Sequence, residues 1–305
     1  MIERLLVVGG TGFIGRNLVL CAMDFGFEIV VLSLHKPSKD RMVDGVKYIQ
    51  LDLIHSNLKS ELPTDSFDYV VNLSGYIDHS EFLQGGREVI QAHFDGVLNL
   101  VQFLEGKKLK RFIQIGSSDE YGNNSAPQHE EMRELPISPY SFGKVASSQF
   151  LQMLYRTQDF PVVILRLFLV YGPGQDNKRF LPQIIQGCLS GNDFPTSAGE
   201  QLRDFCYVDD IVQGIMSALY NEKANGQIIN LASGEPIRVR DVVISIRDKL
   251  GRGNPQFGEF PYRLRENMAL YANISKAKEI LGWRPTMTFD EGVDKIIDSY
   301  LSEKN

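Results

Sequence analysis

Two side chains with acid–base chemistry stand four residues apart in Tyr140-Ser-Phe-Gly-Lys144. At helical spacing they share a face. A neighbouring ammonium favours phenolate over phenol, lowering a tyrosine pKa from its usual value of about 10. Such a phenol could exchange a proton near neutral pH. The same spacing recurs at Tyr300 and Lys304 in the C-terminal tail, where it reads as chance. Context separates the copies. Tyr140 follows an apolar run at 112–115 and the loop Gly116-Ser-Ser-Asp-Glu-Tyr-Gly122. Ser117, at the carboxyl end of that run, is placed to hydrogen-bond a substrate oxygen beside the phenol.

Positioning such a pair requires a scaffold, and its outline is periodic. Residues 5–8, 29–32, 69–73, 112–115 and 162–167 are short apolar runs, and stretches of helical period at 15–25, 87–105 and 139–156 lie between most of them. Near-continuous apolar strands alternating with helices predict an α/β fold with a doubly wound parallel sheet covered on both faces. Ligands then bind at the carboxyl ends of the strands. After Tyr171-Gly-Pro-Gly174 the segments become irregular and richer in Gly and Pro. A helix at 209–220 and a strand at 227–231 are expected to return to the first domain, and 275–282 and 289–302 read as amphipathic helices. The expected division is a dinucleotide-binding domain over 1–173, with returning segments at about 204–232. A smaller, discontinuous α/β lobe over 174–203 and 233–305 would take the substrate.

The first apolar run leads directly into Gly9-Gly-Thr-Gly12-Phe13-Ile14-Gly15 and a helix. A strand must here turn sharply, admit a pyrophosphate to its backbone and pack a helix behind. Gly9 and Gly12 permit the turn and the approach, and Gly15 permits the packing. The second run ends at Ser33, followed by His35, Lys36, Lys39 and Arg41, without the acid that holds an NAD ribose. NADP(H) is therefore the favoured cofactor, with NAD(H) as the alternative. Asp52 follows the third strand, where an adenine amino group could be bonded.

Composition excludes other classes. The chain of 305 residues carries 32 Lys+Arg against 38 Asp+Glu, net −6, so no basic field recruits nucleic acid or an anionic membrane. No apolar run is long enough to span a bilayer. Cys21, Cys188 and Cys206 form no CxxC or Cys/His cluster, so reduced thiols and no metal site are expected. The four-residue apolar run near the N-terminus breaks into glycines and is no signal peptide, so a cytoplasmic location is expected.

Taken together, the glycine loop, Asp52-Leu53, Asn72-Leu-Ser-Gly75, Ser117-Ser118, Tyr140–Lys144 and Tyr171-Gly-Pro173 resemble the extended short-chain dehydrogenase/reductases. So do Arg203-Asp-Phe-Cys-Tyr-Val-Asp-Asp210, Ser275-Lys-Ala and Leu281-Gly-Trp283. The resemblance is to the nucleotide-sugar epimerase/dehydratase/reductase group and covers nearly the whole chain. It implies a Rossmann domain in which Tyr140 is the general acid/base, Lys144 binds the nicotinamide ribose, and Ser117 holds the sugar oxygen. Phe13, Ile14, Leu53, Ser74 and Gly75 would line the cofactor, while Arg203 and Arg263 would bind the substrate diphosphate. Departures are Leu169, where an Asn is common, and His93, read as a hydrogen-bonded structural group. A 4,6-dehydratase needs a further acid and base after the catalytic hydroxyl. Ser118 and Asp119 occupy those positions, whereas Glu120 lies one place beyond and should point elsewhere. The loop looks closer to that of reductases acting on nucleotide-linked 4-keto-6-deoxyhexoses, which makes an NADP(H)-dependent reductase the leading expectation. The alternatives are a redox-neutral 4-epimerase or 4,6-dehydratase with tightly bound NAD, and last a non-catalytic NAD(P)-sensing or scaffold protein. A homodimer built on 87–105 and 139–156 is expected by the same analogy.

Overall fold

The strands form where β-branched and apolar residues run together, and every strand of the main sheet pairs in parallel. The computed structural model describes residues 2–62, 67–262 and 266–302. Its strands are β1 (Arg4–Val8), β2 (Glu28–Ser33), β3 (Lys47–Gln50), β4 (Tyr69–Asn72), β5 (Arg111–Ser117), β6 (Val162–Leu167), β7 (Leu169–Tyr171), β8 (Asp193–Thr196), β9 (Leu202–Tyr207), β10 (Ile228–Leu231), β11 (Pro236–Arg238), β12 (Asn254–Phe257) and β13 (Ala269–Leu270). Seven of them make one sheet in the order β10-β6-β5-β4-β1-β2-β3. Register is set by pairs such as Val8 with Leu32 and Asn72, and Gln114 with Ile164. The order reverses between β1 and β4, the crevice where doubly wound sheets bind ligands.

Alternate side chains of these strands enter two cores. Leu5, Val7, Val31, Val71, Ile113 and Val163 face one layer, whereas Leu6, Val8, Val30, Val70, Phe112 and Val162 face the other. The layers are built by α1 (Phe13–Asp24), α2 (Leu58–Glu61), α3 (Gly86–His93), α4 (Asp95–Leu104), α5 (Pro139–Gln158), α6 (Phe180–Ser190), α7 (Val208–Tyr220), α8 (Val239–Leu250) and α9 (Phe289–Ser302). Pro139 begins α5 behind a Ser138 cap whose hydroxyl accepts the Ser141 N–H at 3.1 Å, a sequence signal for a helix start. The remaining strands make a smaller layer, in which β9 is flanked by antiparallel β11 and by parallel β13 and β7. β8 and β12 form a separate pair.

Two expectations need correction. The stretch 87–105 is not one helix: α3 and α4 meet at Phe94. The Ser147 hydroxyl takes the His93 carbonyl at 2.7 Å, and the Val97 N–H turns instead to Phe94 O at 3.0 Å. An outside donor has displaced a rung of the ladder. The segment 275–282 winds as a π turn over Ala277–Leu281 rather than a regular amphipathic helix. Among the described residues, no helix is long and apolar enough to cross a membrane.

Candidate active site

β1 ends in Gly9, whose φ of +80° suits glycine, and a Cβ there would press on Leu73 O at 3.0 Å. A Cβ on Gly15 would collide with the Gly9 carbonyl, so α1 packs against the loop only because that position is bare. Gly12 stands at the N-cap and brings no side chain to the first turn. The N–H groups of Phe13, Ile14 and Gly15 precede the first helical bond, from Arg16 N to Gly12 O at 2.9 Å. Such groups suit an anion. The donor set therefore fits the pyrophosphate of a dinucleotide.

The other cofactor candidates lie along the strand ends. Ser33 is buried and donates its hydroxyl to His35 O at 2.8 Å, leaving the His35 and Lys36 side chains exposed. Asp52 accepts the Ile54 N–H at 2.8 Å and meets His55 Nδ1 at 3.0 Å. Burial raises its pKa, but these bonds outweigh burial and hold it below the usual carboxylate value. The Leu53 carbonyl accepts Asn99 Nδ2 at 2.8 Å. At the end of β4, Asn72 Oδ1 accepts both the N–H and the hydroxyl of Ser74, at 3.1 and 2.6 Å. Gly75 follows with φ +109°, and the His93 ring lies where its Cβ would be.

Ser117, Tyr140 and Lys144 converge. Tyr140 is buried with its phenol near Ser117, and Lys144 is buried one turn along the same helix with Nζ donating to Ile115 O at 2.9 Å. Burial lowers the Lys144 pKa to about 8, opposed by Glu120. The expectation of a lowered tyrosine pKa is not met in this state. Burial raises the Tyr140 pKa, Asp119 adds to the rise, and Ser117 opposes it. The physical reason is that burial disfavours the phenolate, and the nearby carboxylates of Asp119 and Glu120 disfavour it further. The resting side chain is a phenol.

Two histidines edge the tyrosine ring, His93 at 5.0 Å and His79 at 5.5 Å between centroids. His93 is buried and donates from Nε2 to Tyr76 O at 2.9 Å. Burial first, then the Lys144 charge, hold its pKa down at about 3, so it is neutral and structural, as its sequence context suggests. His79 gave no sequence signal. It is exposed, with Nε2 3.7 Å from Asp119 Oδ2. Ser118 is buried, and Glu120 points away from the cleft into an ion pair with Arg166 at 3.0 Å.

In the smaller layer, Arg203 on β9 is mostly buried, donates to Leu202 O at 2.8 Å and pairs with Glu266. Arg263 lies outside the described residues. Leu169 is exposed on β7.

The family model described as NAD dependent epimerase/dehydratase matches residues 5–232, from β1 through β10. The chain belongs to the NAD-dependent epimerase/dehydratase family. Within it, the UDP-N-acetyl-alpha-D-glucosaminuronate decarboxylase of Bacillus cytotoxicus is 26% identical over 325 residues, with all of both chains covered. The structure of a UDP-N-acetylglucosamine 4-epimerase from Methanobrevibacter ruminantium M1, in complex with UDP-N-acetylmuramic acid, is 25% identical. It superposes with a TM-score of 0.90 over 99% of this chain and 100% of the other. A UDP-glucuronic acid 4-epimerase from Bacillus cereus, solved with UDP-glucuronic acid and NAD, shares the fold at 24% identity. Its TM-score is 0.89, over 99% and 100% of the two chains. The chain is thus an enzyme of the epimerase/dehydratase family with the extended short-chain dehydrogenase/reductase architecture.

Proposed function

We propose that this enzyme interconverts nucleotide-linked hexoses at C4 without net oxidation, using bound NAD. The family match and the NAD-bearing epimerase fold support this over the reductase expected from the sequence. Glu120 carries the choice between epimerase and dehydratase. It is the only Glu in the loop 117–122, and it is buried against Arg166 instead of facing the cleft. Removing a C5 proton and a C6 hydroxyl would fall to Asp119 and the buried Ser118 alone.

Bound NAD would supply the hydride acceptor and donor for oxidation and re-reduction at C4. Tyr140 takes the proton of the C4 hydroxyl as the ketone forms and gives it back on return. Ser117 holds the same oxygen. Lys144 would bind the ribose and draw the tyrosine toward phenolate as the proton leaves. Gly9, Gly12, Phe13, Ile14 and Gly15 would seat the pyrophosphate. Asp52 and Leu53 would lie at the adenine, and Ser74 and Gly75 would line the cofactor further along the strand ends. Arg203 in the lobe 174–203 and 233–305 takes the substrate diphosphate, exchanging Glu266 for a phosphate oxygen.

A second reading, the NADP(H)-dependent reductase of a nucleotide-linked 4-keto-6-deoxyhexose, draws on two observations. No acid ends β2, where Ser33, His35 and Lys36 stand, and the resting Tyr140 is protonated, ready to donate. The deciding experiment releases cofactor from purified protein by acid and identifies it, then follows UDP-hexoses by proton NMR with no reductant added. Retained NAD with a new C4 epimer supports the proposal. An absence of retained NAD, with stoichiometric NADPH loss on a 4-keto-6-deoxyhexose nucleotide, replaces it with the second reading.

A further inference from the structure

Beneath the catalytic loop lies a buried polar cluster that the proton chemistry leaves unused. Glu120 Oε1 accepts the Ser117 N–H at 2.9 Å. Its Oε2 accepts the Ser148 hydroxyl at 2.9 Å and Arg166 Nε at 3.0 Å. Arg166 is also fully buried, donates to Glu134 Oε1 at 2.7 Å and lies over the Tyr121 ring at 4.6 Å. Gly116 makes the room, since a Cβ there would collide with Glu120 Oε1.

Ser148 stands one turn beyond Lys144 and two beyond Tyr140 on α5, so the three share a face. One carboxylate therefore grips both halves of the proton-handling set. Through Oε1 it holds the backbone of Ser117, and through Oε2 it holds the helix face that carries Tyr140 and Lys144. Its counter-charge comes from β6. Taking away one partner of such a buried pair leaves the other uncompensated, which makes the arrangement stiff. Displacements of an ångström at a reacting centre can cost about a hundredfold in rate.

We infer that Glu120 is a positioning residue that sets the Ser117 hydroxyl against the Tyr140 phenol, with Arg166 as its counter-charge. The inference rests on the reading of Ser117, Tyr140 and Lys144 as the proton-handling set. Glu120→Asp keeps the charge facing Arg166 but is one methylene too short to bridge Ser117 and Ser148. Glu134→Gln weakens the same arginine's other pair without touching Ser117, and so reports the purely structural cost. Both variants of the full chain are compared with wild type by steady-state turnover per cofactor-loaded site and by amide exchange of the peptide spanning Ser117. The expected result for Glu120→Asp is a kcat at least about tenfold lower with KM within about twofold, and exchange at Ser117 at least about tenfold faster. Glu134→Gln should leave both near wild type while lowering Tm. Should Glu120→Asp fail to fold, Ser148→Ala is measured instead, with a smaller fall in kcat expected. Equal effects of the Glu120 and Glu134 changes, or unchanged kcat and exchange in Glu120→Asp, would overturn the inference. If wild type converts no nucleotide hexose, the functional reading fails, and the exchange rates at Ser117 still decide the positioning role.

Discussion

Two buried carboxylates, Glu120 behind the catalytic loop and Asp204 on β9, are stabilised in opposite ways. Glu120 faces the guanidinium of Arg166. Asp204 accepts four bonds instead, from the N–H groups of Ser233, Gly234 and Ala272 at 2.7, 3.0 and 3.2 Å, and from the Ser233 hydroxyl at 2.6 Å. Burial raises its pKa, and these bonds oppose the rise. The adjacent Arg203 is thus left to pair with Glu266. At the catalytic end the charges are neutralised inside the fold. On β9 the arginine's partner is the carboxylate of Glu266, which the proposed function would have a substrate phosphate displace. Chemistry is preset, and recognition is exchangeable.

The largest test of that contrast is Tyr140→Phe, which removes the exchangeable proton and leaves the packing. Turnover should fall by roughly a thousandfold, with cofactor content, measured by absorbance after acid release, unchanged. A loss under tenfold would place the proton transfer elsewhere. Next, Asp204→Asn turns an amide donor toward groups that already donate. A stability loss of about 2 kcal/mol is expected in urea titrations, with kcat near wild type. A fall in kcat as large as the fall in stability would erase the distinction between the two acids.

Arg203→Lys keeps the charge but loses the fork. KM for the nucleotide sugar should rise by about tenfold, or about 1.4 kcal/mol, with kcat held. A change in kcat alone would make β9 part of the chemistry. The smallest effect concerns acid. His93 has a folded pKa of about 3 against roughly 6.5 unfolded, so the unfolded chain binds the extra proton between those values. Stability should fall as pH drops below about 6.5, by up to about 1.4 kcal/mol per pH unit from this group. Denaturant midpoints of His93→Gln measured across pH 6.5 to 5.5 should lack that slope. Parallel slopes in the two proteins would mean His93 is already paired or charged.

Local rules made half of the site readable. Gly9, Gly12 and Gly15 follow from what a strand-to-helix turn tolerates, and Tyr140 and Lys144 from helical spacing after the apolar run at 112–115 and its loop. Their consequences inside the fold were not readable. The tyrosine pKa depends on how completely the ring is enclosed, and the break at Phe94 depends on a hydroxyl donated by Ser147 from another helix. The partners of Glu120, Ser148 and Arg166, lie 28 and 46 residues away, and Arg203 meets Glu266 across 63. Such pairings are properties of the folded topology, and residue types alone do not announce them. The cofactor expectation drew on the acid missing after β2 and on the cations Lys36, Lys39 and Arg41 beyond it, a local sign, whereas the family model described as NAD dependent matches across 5–232.

The edge position of β10 bears on synthesis. Ile228 pairs with Ile164 and Leu231 with Leu167, after the chain has passed through β7, β8, β9 and α7. Until residue 231 has left the ribosome, β6 is an open edge whose run Val-Val-Ile-Leu-Arg-Leu is fully buried once the sheet is complete. An unpaired apolar edge is a template for misassociation. Nascent chains that end within the β7 to β9 stretch therefore carry this edge uncovered.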